Sequence, residues 1–502
     1  MTPSPRTTGD AGRPGGLRTG LDQISSAVLD AEAEHGLLSL RAEGAPLWQR
    51  IRFEVHRRLL VETGAMGPPE PVASEVRSRF MARARTLRAS VRRSAFFGPP
   101  RCEVLFAGSG RRVLDAEWGW YAPCCGPVAH ACGLRPLVAE YYLGRWGPAA
   151  PGVPTRYLDR LHLTSLPGRA VGRPPAMAPD VVATLQQAAR TLHLRTGVSL
   201  DLDSITRRDL AARRHDLPCY RGLLERCGAR LVVVECGYDK HSLLEAARGM
   251  QVPVVELQHG VLSRHHFGYH FPRGDGRPPL APDWFFAWGE YWRTAADLPL
   301  PAERVLAIGF PRFDRDRAEA RTSHDRLRAP ARGSGTVLFL SQAMLGDTLS
   351  RFAADLAEQG LRERIVFRLH PREEDGWQVR YPWLRKAGVR VCGSETPLYP
   401  QLAGAPVHVG TFSTALFEGL ALGARLYLVP APGIEYMDEL VRAGRATVTC
   451  TPGALAERLR SEPGSRPGSS GDDLFRPGAL SRAAEAIRAV AEGRAPAAAA
   501  AG

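Results

Sequence analysis

Two doubly wound α/β domains facing a cleft, preceded by a helical N-terminal segment, are the fold that this chain predicts. Three observations carry it. Short, nearly continuous apolar runs rich in β-branched residues recur from residue 101 onward, as buried parallel strands require. Near residues 321–335 the pattern breaks into a polar, Gly/Pro-punctuated linker, after which a second series of such runs begins. Polar residues also cluster where these runs end, which is where open parallel sheets bind ligands.

The elements follow in order. Residues 1–20 are polar and rich in Gly and Pro and read as a disordered leader. Residues 21–100 read as a helical, basic extension. Within it, Leu47, Trp48, Ile51, Phe53, Val55, Leu59 and Leu60 carry a helical spacing over residues 45–65. Residues 76–97 add seven arginines and no acid, a basic amphipathic helix. Such a helix suits an anionic membrane surface through residues 76–94, or a solvated face packed on the protein body. The first α/β domain, 101–320, has strand-like runs at 102–108, 135–143, 229–235, 252–258, 283–289 and 304–310. The second, 336–452, has them at 336–342, 364–371, 388–393, 406–413 and 425–430. Helices and a disordered tail fill 453–502.

Of the 502 residues, 44% are hydrophobic, and no apolar run approaches the length of a membrane span. The nine cysteines form no C-x-x-C pair, which fits a reducing compartment better than a disulfide framework. The expected location is therefore the cytoplasm, with its membrane face as the alternative. A net charge of +14 predicts attraction to anions without choosing among them. Spread along the chain, and without the aromatic interleaving of RNA modules, it does not favour nucleic acid.

Three strand endings carry the candidate chemistry. The first is Val254–Phe271, "VVELQHGVLSRHHFGYHF", which holds four of the fourteen histidines. His259, at a strand end beside Gly260, is placed to act as a general base on an acceptor hydroxyl. Glu256 and Gln258 share a strand face and are candidates to orient it or bind substrate, as is Gly260. A metal site competes, but the spacing of His259, His265, His266 and His270 matches no zinc motif, and Arg264 opposes a cation. No metal and no cofactor are expected. His265 is retained as an acceptor-site residue, and Glu235, ending its own strand, as a further carboxylate.

The second ending is Arg368-Leu-His370-Pro-Arg372. Arg368, His370 and Arg372 are read as a cationic rim for a diphosphate, with His370 also near the leaving group. In the third, Gly410 permits a tight turn and Ser413 or Thr414 caps the helix that follows, beside Thr411. A helix N-terminus with free N–H groups seats a phosphate, although an ordinary cap is the plain alternative. Glu418, one turn on, is a candidate for a ribose or base contact.

In this order and at these separations, "ELQHG", the "LHP" ending and "TFSTALFEGLALG" resemble GT-B glycosyltransferases of bacterial surface polymers. The likeness is nearest to CDP-glycerol glycerophosphotransferases and capsule polysaccharide biosynthesis proteins, with a distant one to bacterial sialyltransferases. It covers about residues 101–450. It implies a GT-B-like fold, a nucleotide held by His370, Ser413, Thr414 and Glu418, and His259 as base. It also implies a nucleotide-activated sugar or polyol phosphate as donor and a glycan or lipid-linked acceptor of the cell envelope. Two departures stand out: the E-x7-E pair of many retaining enzymes is absent, and the sialyltransferase acidic motif is reduced to "ECG" at 235–237. A nucleotide-sugar epimerase or hydrolase of the same fold is one alternative. A non-catalytic polysaccharide-assembly or nucleic-acid-binding protein is another.

Overall fold

The computed structural model describes residues 20–66, 88, 91–110, 112–115, 119–142, 152–161, 175–271, 278–326, 335–461 and 471–496. Most of the basic stretch 76–97 lies outside these residues, as does nearly all of the leader. Helices α1 (Gly20–His35) and α2 (Leu47–Glu62) open the chain. Of the apolar residues spaced along this stretch, Leu47, Trp48, Ile51, Val55, Leu59 and Leu60 are buried, whereas Phe53 is only partly so. The buried six pack with α1 on two long helices, α3 (Pro179–Thr196) and α4 (Leu202–Cys227), in one apolar cluster that also takes in Phe267. The N-terminal helices are thus fixed onto the first domain. Arg52 and Glu32 form a buried ion pair there, and Arg52 also donates to the carbonyls of Phe267 (2.8 Å) and His270 (2.5 Å).

The first domain is built on β1 (Val104–Ala107), β2 (Pro136–Glu140), β3 (Thr155–Tyr157), β4 (Leu231–Glu235), β5 (Val254–Leu257), β6 (Trp284–Ala287) and β7 (Val305–Ala307). They form one seven-stranded sheet in the order β7-β6-β5-β4-β1-β2-β3, every pairing parallel. All six apolar runs read in the first series became strands. Residues 155–157 add an edge strand, and the stretch between β3 and β4 supplies α3 and α4. Helix α5 (His241–Gly249) joins β4 to β5, and α6 (Pro311–Arg326) leaves β7.

The second domain holds β8 (Val337–Leu340), β9 (Ile365–Arg368), β10 (Arg390–Cys392), β11 (Val407–Gly410), β12 (Arg425–Leu428) and β13 (Ala446–Val448). Their order is β10-β9-β8-β11-β12-β13, again wholly parallel. In each sheet the chain starts in the middle, winds one way, then crosses back. The reversal points are β1/β4 and β8/β11, the crevices where doubly wound sheets take ligands. Helices α7 (Leu398–Gly404) and α8 (Thr414–Ala421) cover one face of the second sheet. This is the expected GT-B-like pair of Rossmann-type domains.

One apolar cluster crosses the seam, joining Phe285, Trp288, Trp292, Phe310 and Phe313 to Leu338, Leu402, Leu416 and Phe417. The chain then returns to the first domain: α9 (Ala479–Ala491) packs beneath its sheet with Phe106, Val128 and Phe286. Two glycines permit the returning segment to approach closely. A Cβ on Gly289 would stand 2.1 Å from the Asp473 carbonyl oxygen, and one on Gly309, at φ +97°, 2.2 Å from that of Arg476. No helix among the described residues is long and apolar enough to cross a membrane.

Candidate active site

Strand β5 is buried along its whole length and ends at Gln258-His259-Gly260. Gln258 is 1% exposed. Its amide donates to the Gly260 carbonyl (2.9 Å) and its oxygen accepts from Trp288 N–H (2.9 Å). Gln258 thus locks the turn against the end of β6; of the two roles expected of it, orienting His259 or binding substrate, these contacts fit the first.

His259 lies half-buried between two tyrosines. Its Nε2 is 3.2 Å from the Tyr238 hydroxyl and its Nδ1 2.9 Å from the Tyr269 hydroxyl. Tyr269 donates its single proton to Glu256 (2.8 Å), so toward His259 it accepts. The imidazole therefore carries its proton on Nδ1 and leaves the Nε2 lone pair on the Tyr238 side. Glu256 is fully enclosed and also accepts from Gly237 N–H (2.8 Å). Burial pushes its carboxyl up to about 7, against the opposing pull of Gly237 N–H, Tyr269 and Lys240.

The three later histidines do not converge with His259. His266 stacks on Phe53 at 5.5 Å and lies 4.7 Å from the Tyr269 ring. His270 accepts from Asp297 N–H (3.2 Å), and His265 bonds Ser25 Oγ (3.1 Å) with Asp22 3.3 Å away. Burial lowers all three to about 4. His265, expected at the acceptor site, is 2% exposed and ties the loop to α1. Among the described residues, the group with metal-ligand proximity is Asp22, His265 and Asp438, and there the Arg264 guanidinium reaches both carboxylates, at 3.4 and 2.8 Å. Glu235 is likewise enclosed: it accepts from Ser109 N–H (3.2 Å), Ser109 Oγ (2.8 Å) and Cys125 N–H (2.7 Å), stitching the β1/β4 crevice together.

Across the seam, β11 ends at Gly410 and turns into α8. Thr411, fully buried, donates to the Val429 carbonyl (3.1 Å) and holds the turn to the next strand end. Phe412 N–H bonds Gln342 Oε1 (3.3 Å), bridging the β8/β11 reversal point. Ser413 is the N-cap, its hydroxyl accepting from Leu416 N–H (3.3 Å). Thr414 opens the helix, half-exposed. Glu418 does not face the crevice: 5% exposed, it accepts from the Tyr399 hydroxyl (3.2 Å) under α7. One turn beyond the cap, the helix has rotated that position onto its packed side.

The expected rim of three cations is not gathered. The Arg368 guanidinium turns to the Thr396 carbonyl (2.8 Å) and Gln401 (2.5 Å), toward β10 and α7. His370 and Arg372 remain together, His370 Nδ1 accepting from Arg372 N–H (3.2 Å). Their turn is held by Glu373, a residue the sequence reading passed over. Its buried carboxylate takes His370 N–H (2.8 Å), Ser341 Oγ (3.1 Å) and the Tyr381 hydroxyl (2.7 Å). Tyr238 and Tyr269 were missed as well; only Tyr269's place within the histidine-rich loop hinted at a role.

The two halves meet through the histidine-rich loop. Arg264 pairs with Asp438, and the His265 ring lies 6.2 Å from Tyr436, edge-on. Tyr436 in turn lies 5.2 Å from Phe412, beside the Ser413 cap.

No protein-family model and no curated protein matches this chain. Solved structures of similar shape include the UDP-GlcNAc 2-epimerase of Methanocaldococcus jannaschii (10% identity, TM-score 0.43, covering 78% of this chain and 99% of that one). Another is the UDP-GlcNAc 2-epimerase of Neisseria meningitidis bound to UDP-GlcNAc (12%, 0.42, 78% and 100%). A glycosyltransferase of Streptomyces is a third (16%, 0.36, 79% and 98%). At these identities and scores the likenesses carry no functional argument, which rests on the residues themselves.

Proposed function

We propose that this chain transfers a glycosyl or polyol-phosphate group from a nucleotide-activated donor to a hydroxyl acceptor of a cell-envelope glycan. The observation that carries the reading is His259, half-buried at a strand end with its Nε2 beside the Tyr238 hydroxyl (3.2 Å), at the start of the loop that reaches the second domain. The Ser413 cap, the first turn of α8, His370 and Arg372 would hold the donor diphosphate. An anion there meets backbone N–H groups and the positive end of a helix. His259 would take the acceptor proton as the hydroxyl attacks, and His370 would sit beside the departing phosphate. No metal is invoked, and chelator is expected to leave turnover unchanged.

A second reading uses the same imidazole. Such a base also activates water or removes a ring proton, so an epimerase or hydrolase of nucleotide sugars fits the site. Two measurements separate the readings. A thermal-shift screen of CMP, CDP, UDP, GDP and their sugars identifies the donor, because a ligand that binds only the folded state raises Tm. Incubation of that donor with and without acceptor alcohols then decides: nucleotide release that requires acceptor supports transfer. Isomerised or hydrolysed donor without acceptor supports the second reading, and no binding to any nucleotide overturns both.

A further inference from the structure

We propose that His259 does not hold the abstracted proton alone: Glu256, Tyr269 and His259 form a proton relay whose final acceptor is Glu256, and helix α2 keeps that carboxylate out of water. The proposal rests on the reading of His259 as base and deepens it.

The order of these hydrogen bonds is directional. Tyr269 donates to Glu256 at 2.8 Å and accepts from His259 Nδ1 at 2.9 Å. A proton arriving at Nε2 therefore has a hydrogen-bonded path onward through Nδ1 and Tyr269 to Glu256. The acceptor O–H bond breaks and an N–H bond forms at Nε2, while the oxygen electron pair goes to the donor's reacting centre. The Nδ1 proton passes to the Tyr269 oxygen, and the Tyr269 proton passes to Glu256. One proton enters and one charge is neutralised, at Glu256; the imidazole ends neutral, with its proton on Nε2. After product leaves, the steps reverse and the proton goes to water.

A carboxylate works in this role when its proton affinity is near the operating pH. Its surroundings arrange that. A cavity of about 30 Å³, room for one or two waters, lies against Glu256. Its walls include Phe267, Phe285 and Leu298 from the first domain, and Gln49 and Phe53 from α2. Phe53 lies 4.4 Å from the Tyr238 ring and 5.5 Å from His266. The ionisable groups around Glu256 are Cys236, Tyr238, Asp239, Lys240 and His241 on the turn after β4, with His259, His266 and Tyr269 on the loop. Asp239 raises and Lys240 lowers its proton affinity, while burial dominates and carries it to about 7. His241 and His266 are held neutral by burial, at about 3 and about 4, and add no positive charge. The N-terminal segment thereby gains a chemical role: its second helix supplies the apolar wall on this side.

Two measurements test the relay, one without any substrate. Difference infrared spectra of wild type against Glu256→Gln, from about pH 5 to 9, should show a protonated carboxyl band lost at about pH 7. In Phe53→Ala that loss should move at least one pH unit lower. Nitrogen-15 spectra of the histidines should show His259 with its proton on Nδ1, and a mixed tautomer in Tyr269→Phe. A Glu256 carboxyl titrating in the ordinary range, or an unchanged tautomer in Tyr269→Phe, overturns the relay whatever reaction the protein catalyses. With donor and acceptor in hand, Glu256→Gln and Tyr269→Phe should each lower kcat on the order of 100-fold, with KM nearly unchanged. The acid limb near pH 7 should disappear in Glu256→Gln. Folded variants, by circular dichroism melts, that keep wild-type kcat and pH profile overturn it equally. Failure to find any transfer, with the spectroscopic results intact, would instead count against the transferase reading alone.

Discussion

The two strand ends linked across the seam by the histidine-rich loop are built on different plans. On the first domain, His259 is held by side chains: Gln258 clamps its backbone, two tyrosines bracket its ring, and a buried carboxylate stands behind. On the second domain, the turn at 410–414 is held by side chains bonded to main chain, Thr411 on a carbonyl and Gln342 and Ser413 on amides, with no network of side chains bonded to one another among these contacts. A side-chain network fixes a tautomer and a proton affinity, which is chemistry. A row of backbone N–H groups fixes a place for an anion, which is binding. Under the proposed function, turnover would belong to the first half and donor affinity to the second.

The sharpest way to break that division is to remove one imidazole from each half. His259→Ala should lower kcat by 10²–10⁴-fold while leaving the nucleotide-induced Tm shift nearly intact. His370→Ala should reduce both, because that ring sits beside the proposed diphosphate as well as the leaving group. Turnover and nucleotide-binding assays on the two variants check this; equal, negligible effects would dissolve the distinction and the enzyme reading with it.

Next in size is the scaffold beneath the first half. Arg52 joins Glu32 to the carbonyls of Phe267 and His270, so one guanidinium links α1, α2 and the histidine-rich loop. Arg52→Ala leaves Glu32 buried without its counter-charge, with the Trp48 indole N–H still bonded to it (2.7 Å), and should cost about 3–5 kcal/mol in a chemical melt. Arg52 touches neither strand end of the second half, where the buried Glu373 carboxylate holds the His370 turn, so nucleotide binding by the folded fraction should survive.

Acid should also strike the first half harder. His266 and His270 are held neutral by burial, with proton affinities near pH 4 rather than the usual 6.5, and His241 is near 3. The unfolded chain binds protons on these rings below about pH 6.5, whereas the folded chain resists down to about 4. Their contribution to stability is therefore complete above about 6.5 and is lost as the pH falls toward 4. Glu256 has the opposite sign. Its folded value lies above the ordinary carboxylate range, so it favours folding at low pH and loses that contribution as the pH rises through 7. Melting temperatures recorded from pH 8 to about pH 4 should fall by several degrees, and less so in His266→Phe, which keeps the stack on Phe53 without the titrating ring.

How far the sequence reaches differs between the halves in the same way. Every apolar run that was read as a strand is one, because buried parallel strands announce themselves by composition alone. The long helices α3 and α4 were hidden by weak periodicity and dense arginine, although together they carry the N-terminal pair. Ser413 as a cap was legible because capping is local: hydroxyl, then a helix-forming run. The directions of Arg368 and Glu418 were not, since they depend on Thr396, Gln401 and Tyr399, which tertiary packing brings up from elsewhere. The tyrosines around His259 were illegible for the same reason. Tyr238 arrives from the turn after β4, and only folding brings it to the end of β5.

The smallest effect tests the second half at its own scale. Ser413→Ala removes a cap worth about 1 kcal/mol to α8, since Leu416 N–H loses its side-chain acceptor. Stability should fall by no more than that, because most of this helix is buried against the domain core. Donor affinity should drop about tenfold, the equivalent of one lost hydrogen bond to a charged group. The rate at saturating donor should stay within about twofold, because the proton-handling groups around His259 are untouched. Ser413→Thr, which keeps the hydroxyl, should restore both cap and affinity. If Ser413→Ala instead lowered kcat while donor affinity held, the helix tip would be acting on the transition state, and the separation of binding from chemistry would fail at its weakest point.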